Sequence, residues 1–471
     1  VKNQTKILAT ISDLRCDPDF IRTLYNEGMT AVRLNTAHQG LEDTLRVVNN
    51  VRQVSDQIPL VLDTKGPEVR TTKKATDIFV KSGDLVKIIG DPNHLSTNEV
   101  VGVTYAGFVK DVPVGKQVLI DDGDLAFTVV DKDDIYLICR VDNDGEVGSK
   151  KSVNVPGVHI SLPSLSEKDH QYIEFAIEHK IDFIAHSFVR NKQDVKDIQD
   201  ILDARNAKCQ IIAKIENQEG VDHIDEIIDS VYGIMVARGD LGIEIAAERI
   251  PAIQKSLILK CREKCKPVIT ATQMLHTMIK KPRPTRAEVS DIANAVYDGT
   301  DCLMLSGETA NGDYPVEAVK TMARIAKYSE EQTPAMVNIQ VDRSSKVIPA
   351  FLAEMAISAE NRIPMKGIII DTSTGRTARY LSAFRGNIPI FVECYDADTM
   401  RRLALTYGVH ANYLAGDANG HDDFVNMSLN HLVKEKELTK EDTVLIMAGN
   451  FGASTGASFI EISTVENLLS I

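Results

Sequence analysis

The sequence predicts an α/β protein: a (β/α)8 TIM barrel with an inserted small all-β lid domain and a C-terminal α/β open-sheet domain. Three observations predict it. About eight short β-rich apolar runs alternate with helical stretches before residue 334, and eight strands close a parallel barrel. Residues 71–155 interrupt that rhythm with sequence rich in Val, Ile, Asp and Gly, and from about residue 335 a separate alternation begins. At 471 residues the chain is too long for one ordinary core, and about 150 residues per domain implies roughly three. The expected domains are a barrel at 1–70 and 156–334, a lid at 71–155 and a C-terminal unit at 335–471.

The barrel runs are K-I-L-A-T-I from Lys6, A-V-R-L-N from Ala31, P-L-V-L-D-T-K from Pro59, D-F-I-A-H-S-F from Asp182, Q-I-I-A-K-I from Gln210, G-I-M-V-A-R from Gly233, P-V-I-T-A-T from Pro267 and D-C-L-M-L-S from Asp301. Between them, stretches such as Ser166 to His179 and Glu248 to Lys264 place apolar residues at three- and four-residue spacing, the period of an amphipathic helix. Ser166 followed three positions on by Asp169 is a helix-start pattern. Polar residues gather just after the runs: Arg33 and Asn35, Asp63 to Lys65, Ser187 and Arg190, Lys214 and Glu216, Asp240, Thr272, Ser306 and Glu308. Active sites of such barrels form at the carboxyl ends of the strands, so this rim is the expected site.

Inside the insertion, D-D-G at Asp121, D-K-D-D at Asp131 and D-N-D-G at Asp142 are turn signals. A small β-domain leaving the rim there is placed to act as a lid. In the last unit, G-I-I-I-D at Gly367, I-P-I-F-V at Ile388 and T-V-L-I-M-A at Thr443 alternate with helical segments, which predicts an open doubly wound sheet.

Composition narrows the function class. Hydrophobic content of 43% and charged content of 25% are those of an average globular protein, and a net charge of −14 argues against a chain whose main task is coating nucleic acid or anionic lipid. No run of eighteen apolar residues occurs and V-K-N-Q-T-K-I-L-A-T has no leader pattern, so a cytoplasmic location is expected. Seven cysteines without a C-x-x-C pair form no zinc or redox pattern, and Cys261 and Cys265 read as reduced thiols on one helix.

Three constellations carry chemistry. Lys214 and Glu216 close one strand, and Gly239 and Asp240 close the next. A carboxylate pair with a lysine beside it suits a hard divalent cation held against a phosphorylated substrate. The buried appearance of Ile211 to Ala213 speaks against a simple surface ion pair. Asp63-Thr-Lys-Gly-Pro-Glu-Val-Arg70 displays charges around a Gly-Pro turn, and Arg33 with Arg70 offers two forked phosphate grips. Asp371-Thr-Ser-Thr-Gly-Arg-Thr377 reads equally as an N-cap turn or as a phosphate cradle built from Thr372, Ser373, Thr374, Gly375, Arg376 and Thr377.

These segments resemble the pyruvate kinase family over nearly the whole chain. The matching stretches are R-L-N at 33, D-T-K-G-P-E-V-R at 63, L-P-S-L-S-E-K-D at 162, K-I-E-N at 214, A-R-G-D-L-G-I-E at 237, A-T-Q-M-L at 271, P-T-R-A-E-V at 284 and M-L-S-G-E-T-A at 304. The resemblance implies phosphoryl transfer from phosphoenolpyruvate to ADP, giving pyruvate and ATP in the last step of glycolysis. It assigns the phosphoryl group to Arg33 and Lys214, magnesium or manganese to Glu216 and Asp240, and the substrate carboxylate to Gly239 and Asp240. Thr272 would lie near the carbon that is protonated, and Asn35, His38, Arg70 and Lys168 match nucleotide-contacting positions. A homotetramer and a phosphorylated allosteric effector are implied as well.

Departures from the family pattern carry expectations of their own. Asn35, Asp63 and Thr64 match ligands of the family's potassium site, but its usual serine is Ala37, while Glu68 stands where potassium-independent members have lysine. A requirement for weakly bound potassium follows. Ile11-Ser-Asp-Leu-Arg15 and R-L-N-T-A-H-Q-G differ from the family's forms, so a diphosphate such as GDP could rival ADP. His186, Ala246 and His276 also differ without removing a catalytic group. A metal-dependent barrel aldolase or lyase acting through pyruvate enolate is the alternative enzyme, and a degenerate sugar-phosphate sensor the alternative binder. The sensor would be expected to have lost Lys214 or a metal carboxylate. Replacing Lys214 by Met is expected to leave the fold and metal binding largely intact while lowering turnover by orders of magnitude.

Overall fold

The computed structural model describes residues 3–37, 39–333, 339–342, 347–414, 420–449 and 456–470. Each predicted barrel run is a strand: β1 Lys6–Thr10, β2 Ala31–Asn35, β3 Leu60–Asp63, β4 Phe183–His186, β5 Gln210–Ile215, β6 Gly233–Ala237, β7 Val268–Ala271 and β8 Cys302–Leu305. They pair in parallel and close, β1 bonding both β2 and β8.

Strand alternation then decides which side chains meet at the mouth. Ala31, Val61, Phe183, Ala185, Ile212 and Met235 fill the barrel interior, whereas Val32, Leu62, Ile184, Ile211, Ala213 and Ile215 pack outward on the helices. Two residues beyond the inward Ala31, Val61 and Ile212 come Arg33, Asp63 and Lys214, and Glu216 follows Lys214 by the same step. A period of two therefore stacks these charges directly above an apolar plug.

The expected helices are present as Glu167–Glu178 and Ile250–Glu263, the latter preceded by a 3-10 turn at Ala247–Arg249. Ser166 and Asp169 form the reciprocal cap. The second oxygen system of that cap does more than end a helix: Asp169 Oδ1 accepts from the Lys65 and Gly66 backbones at 3.0 and 3.3 Å, fixing the D-T-K-G-P-E turn. Gly66 sits at φ +70°, where a Cβ would lie 2.8 Å from the Phe188 ring, so only glycine lets this turn touch the strand β4 end.

Between β3 and β4 the inserted residues build a six-stranded sheet in the order 153–154, 117–120, 125–132, 136–141, 85–89, 100–102, and a small two-stranded sheet from 79–80 and 145–146. All three acidic signals are turns here. Asp121 and Asp122 adopt φ of 57° and 55° ahead of Gly123, and Asp133 Oδ1 accepts from the Ile135 and Tyr136 backbones at 2.7 and 2.8 Å. Its core of Val, Ile, Leu and Phe is separate from that of the barrel.

The C-terminal sheet runs 409–413, 390–394, 367–372, 443–449, 457–464, with the last strand antiparallel. Ile368 and Ile370 pack with the helices Val347–Glu360 and Arg376–Ala383, while Ile369 packs with His421–Lys434 and Val465–Leu469 on the other face. Helices on both faces make it doubly wound, as expected. The two edge strands, Val409–Tyr413 and Ala457–Thr464, are additions to the three anticipated. Among the described residues no helix is long and apolar enough to cross a membrane.

Candidate active site

The charges stacked at the barrel mouth form one bonded group. Lys214 Nζ lies 3.0 Å from Asp63 Oδ1, 3.0 Å from Glu216 Oε1 and 2.7 Å from Ser187 Oγ. Arg33 Nε meets the other Asp63 oxygen at 2.6 Å and its NH1 reaches Thr10 Oγ1 at 3.0 Å. Glu216 Oε2 accepts from the Phe188 backbone at 2.7 Å. Arg33 and Lys214 are each 9% exposed, Asp63 and Glu216 only 2% and 1%, so their rotamers are fixed before any substrate arrives.

Electrostatics divides the two acids. Burial pushes the Asp63 carboxyl up, but Arg33 and Lys214 outweigh it and hold the group below its usual range. For Glu216 burial dominates and Lys214 compensates only in part, so its carboxyl rises to about 7, with Asp240 adding repulsion. Asp240 is raised too, again mainly by burial. Lys214 is pulled down by burial yet held above its ordinary value by Asp63 and Glu216. Two part-buried carboxyls that resist ionising next to each other are an oxygen-donor pair suited to a hard dication. Among the described residues no group of three or more His, Cys, Asp or Glu side chains could hold a metal, so water and substrate oxygens would complete the coordination of an ion there.

Asp240 lies in the helix Arg238–Glu244, directly after β6. The glycine expected to offer its backbone to an anion is engaged: Gly239 N donates to Thr272 Oγ1 at 2.7 Å. Thr272 itself sits at φ +67°, a conformation that a β-branched residue adopts only when its surroundings impose it. Arg238 imposes it, donating to the carbonyls of Ala271 and Thr272 at 3.2 and 2.7 Å while anchored to Asp291 at 2.7 Å. Glu308 braces the same loop by accepting from Leu275 and Ser306.

Asp240 also borders a cleft of ≈ 660 Å³ between the barrel mouth and the β-domain, walled by Pro67, Arg70, Asp122, Phe188, Asn217 and Glu244 among others. Arg70 lies on this wall, bonding Glu68 at 2.7 Å and the Lys150 carbonyl at 2.6 Å. Glu68 holds Lys65 as well, at 2.9 Å. Lys168 approaches the Ala37 carbonyl at 3.5 Å and stands over the Tyr172 ring; burial and the nearby Lys65 lower its ammonium. His38 lies outside the described residues. Asn35 Oδ1 accepts from the Ala37 backbone at 3.2 Å, and Asn35 pairs with Asp63 across β2 and β3. Thr64 donates its hydroxyl toward Ala185 O at 3.3 Å, and its carbonyl accepts from Ser187 at 2.6 Å. His186, on the outward face, is buried with both ring nitrogens unpartnered, and burial lowers it to about 4, so it is neutral.

Thr10, Arg238 and Glu244 join the site without having been expected there. Ser187 had been noted on the rim; Thr10 and Arg238 act through residues already singled out. Glu244 is raised to about 7 by burial against a single hydrogen bond from the Gly157 backbone. The unfolded chain gives up that proton near the ordinary value of 4.5 and the folded chain only near 7, so stability falls as pH rises across this interval. Glu244→Gln is therefore expected to melt higher than the parent at pH 8 and equally at pH 4, and paired thermal melts check it.

Two family models match the chain. The family model described as "Pyruvate kinase, barrel domain" matches residues 2–319, and "Pyruvate kinase, alpha/beta domain" matches residues 351–463. The chain belongs to the pyruvate kinase family. It is 48% identical to a pyruvate kinase of Borreliella burgdorferi over 477 aligned positions, covering 100% of this chain and 99% of that one. A pyruvate kinase of Geobacillus stearothermophilus is 41% identical, over 100% of this chain and 81% of its own. The crystal structure of a pyruvate kinase from Cryptosporidium parvum superposes with a TM-score of 0.91 at 34% identity, over 98% of this chain and 96% of that one. The barrel, the inserted β-domain and the terminal sheet are thus those of a pyruvate kinase family member, and the enzyme class is phosphotransferase.

Proposed function

We propose that this chain transfers the phosphoryl group of phosphoenolpyruvate to ADP, yielding ATP and pyruvate, with the mouth of the barrel as its active site. One observation carries the assignment of residues: a buried lysine held between Asp63 and Glu216, with Asp240 on the adjoining cleft wall. Lys214 and Arg33 point two cationic donors at one place, the requirement for stabilising a phosphoryl group in flight, where the protein's work is positioning and charge. Glu216 and Asp240 would hold magnesium or manganese, and the donor set fits: two oxygen ligands, desolvated and unwilling to share a space while ionised. When bound, that dication neutralises charge on the phosphate oxygens.

Gly239 and Asp240 mark the seat of the substrate carboxylate, and Thr272, pinned by Arg238 and Gly239, stands where the enol carbon gains its proton. Asn35, His38, Arg70 and Lys168 are the proposed nucleotide side. Glu68 orders Arg70 and Lys65 there before the diphosphate arrives. The β-domain at 71–155 would close as a lid over the cleft, the barrel being 1–70 with 156–334 and the regulatory unit 335–471. ATP formation from phosphoenolpyruvate and ADP, followed in a coupled assay with GDP as competitor, tests the reaction and the base preference together.

Potassium is proposed at Asn35, Asp63 and Thr64. Ala37 adds no side-chain oxygen, and the Asn35 oxygen is already bonded to the Ala37 backbone, so the ion is weakly held. Turnover is expected to fall at least tenfold in rigorously potassium-free buffer and to be restored in Ala37→Ser at lower potassium than in the parent; turnover indifferent to potassium overturns this site.

The loop Thr372, Ser373, Thr374, Gly375, Arg376 and Thr377 is proposed to seat the phosphate of an effector. In its present form Thr372 Oγ1 accepts from the Gly375 backbone at 2.8 Å, an arrangement that closes the turn ahead of the helix and leaves Ser373 and Thr374 exposed. A cytoplasmic homotetramer is the proposed assembly.

A further inference from the structure

At the end of the barrel opposite the mouth, a crevice of ≈ 190 Å³ opens where the N-terminal ends of β6 and β7 meet the helix Arg376–Ala383. Lys264 and Lys266 line it from the barrel and Arg376 and Arg379 from the C-terminal domain, with the Tyr232 ring and Asp342 completing the wall. It adjoins a narrower recess that shares Lys266 and Arg379 and contains Arg262 and Arg385, with Asp301 as the one carboxylate of its lining.

The positive charge here exceeds what the described carboxylates neutralise. Asp301 is taken by Arg385 at 2.8 Å, and Lys264 by Asp229 and Asp342 at 3.0 and 3.4 Å. Lys266 bonds the neutral carbonyl of Val231, and Arg379 the carbonyl of Thr374 at 3.3 Å while its guanidinium stands 5.4 Å from the Tyr232 ring centre. Burial and the facing Arg379 lower the Lys266 ammonium, and burial with Arg385 lowers Arg262 to about 9. Cations kept part-buried against neutral partners gain strongly when an anion joins them.

We propose that this crevice binds a small phosphomonoester, its phosphate between Lys266 and Arg379 and its carrier running out past Lys264 and Arg376. A dianion with three terminal oxygens meets a guanidinium fork and an ammonium at once, which a halide cannot do. The volume is below the roughly 300–1,000 Å³ of sites for drug-sized ligands, so the carrier is short. Because the walls come from two domains, occupancy ties the end of the barrel to the C-terminal sheet. The site shares Arg376 with the 372–377 loop but centres on residues outside it, and it stands whether or not the kinase reading does.

Equilibrium dialysis against glycerol 3-phosphate and against inorganic phosphate tests it, comparing the full chain with variants so that uptake at the barrel mouth cancels. Lys266→Gln with Arg379→Gln is expected to remove one bound glycerol 3-phosphate per chain, an affinity loss of about tenfold or more. Lys264→Gln, at an exposed position outside the 372–377 loop, is expected to weaken the same uptake with the fold secure and with turnover in phosphate-free buffer unchanged. Uptake by this second variant equal to that of the parent overturns the proposal. So does uptake lost instead in Ser373→Ala with Thr374→Ala, which would put the phosphate on the loop.

Discussion

Lys214→Met is expected to lower turnover by about three orders of magnitude or more, since even one neutral donor to a developing charge is worth 10²–10³ in rate. On the proposed assignment the ammonium faces the phosphoryl position from a buried strand end, and Arg33 cannot swing in to replace it, being tied to Asp63 and Thr10. The fold is expected to stay largely intact, with some loss of stability. Lys214 bonds Asp63 and Glu216, both almost wholly buried, so its loss leaves carboxyls short of a counter-charge and lowers stability. The loss is limited, because Arg33 still holds Asp63 and Glu216, already raised to about 7, can take a proton. Single-turnover rates together with denaturant melts separate the two effects, and a variant keeping a tenth of parental turnover excludes the role.

Glu216→Gln is expected to raise the magnesium needed for half-maximal turnover by about a hundredfold or more, through loss of one of the two proposed carboxylate donors. The amide is nearly the same shape and can still accept one of the bonds now made by Lys214 and the Phe188 backbone, so the effect is one of charge rather than packing. Glu244→Gln, on the same cleft wall, should leave the magnesium requirement alone. Equal effects from the two variants would point to a general change in cleft potential instead of a bound ion. Turnover titrated with magnesium distinguishes these outcomes.

Much of this architecture is legible from residue order because its rules are local. Alternation along A-V-R-L-N and Q-I-I-A-K-I already sends Arg33 and Lys214 inward, and Ser166 with Asp169 announces a helix. What is lost is the pairing across distance: nothing near Asp63 reveals that Lys214, 151 positions away, is its partner. Glu308 was legible as a polar group after a strand and Arg238 only as the last letter of a strand run, but their work is to hold a strained threonine loop, and strain leaves no mark on composition. The edge strands failed for another reason. Val409-His-Ala-Asn-Tyr413 is half-exposed over its three middle positions, and Ala457–Thr464 pairs along one edge only and is half-exposed over most of its length, so neither shows the solid apolar run of a central strand.

The account rests on a dication and the Lys214 ammonium acting together on the phosphoryl group. Crystals grown with manganese and a phosphoenolpyruvate analogue, measured at the manganese absorption edge, test that directly. The predicted result is an anomalous peak between the Glu216 and Asp240 carboxylates, with the analogue's phosphoryl oxygens within reach of Lys214 Nζ. A fully occupied analogue with no peak between those two carboxylates would contradict it.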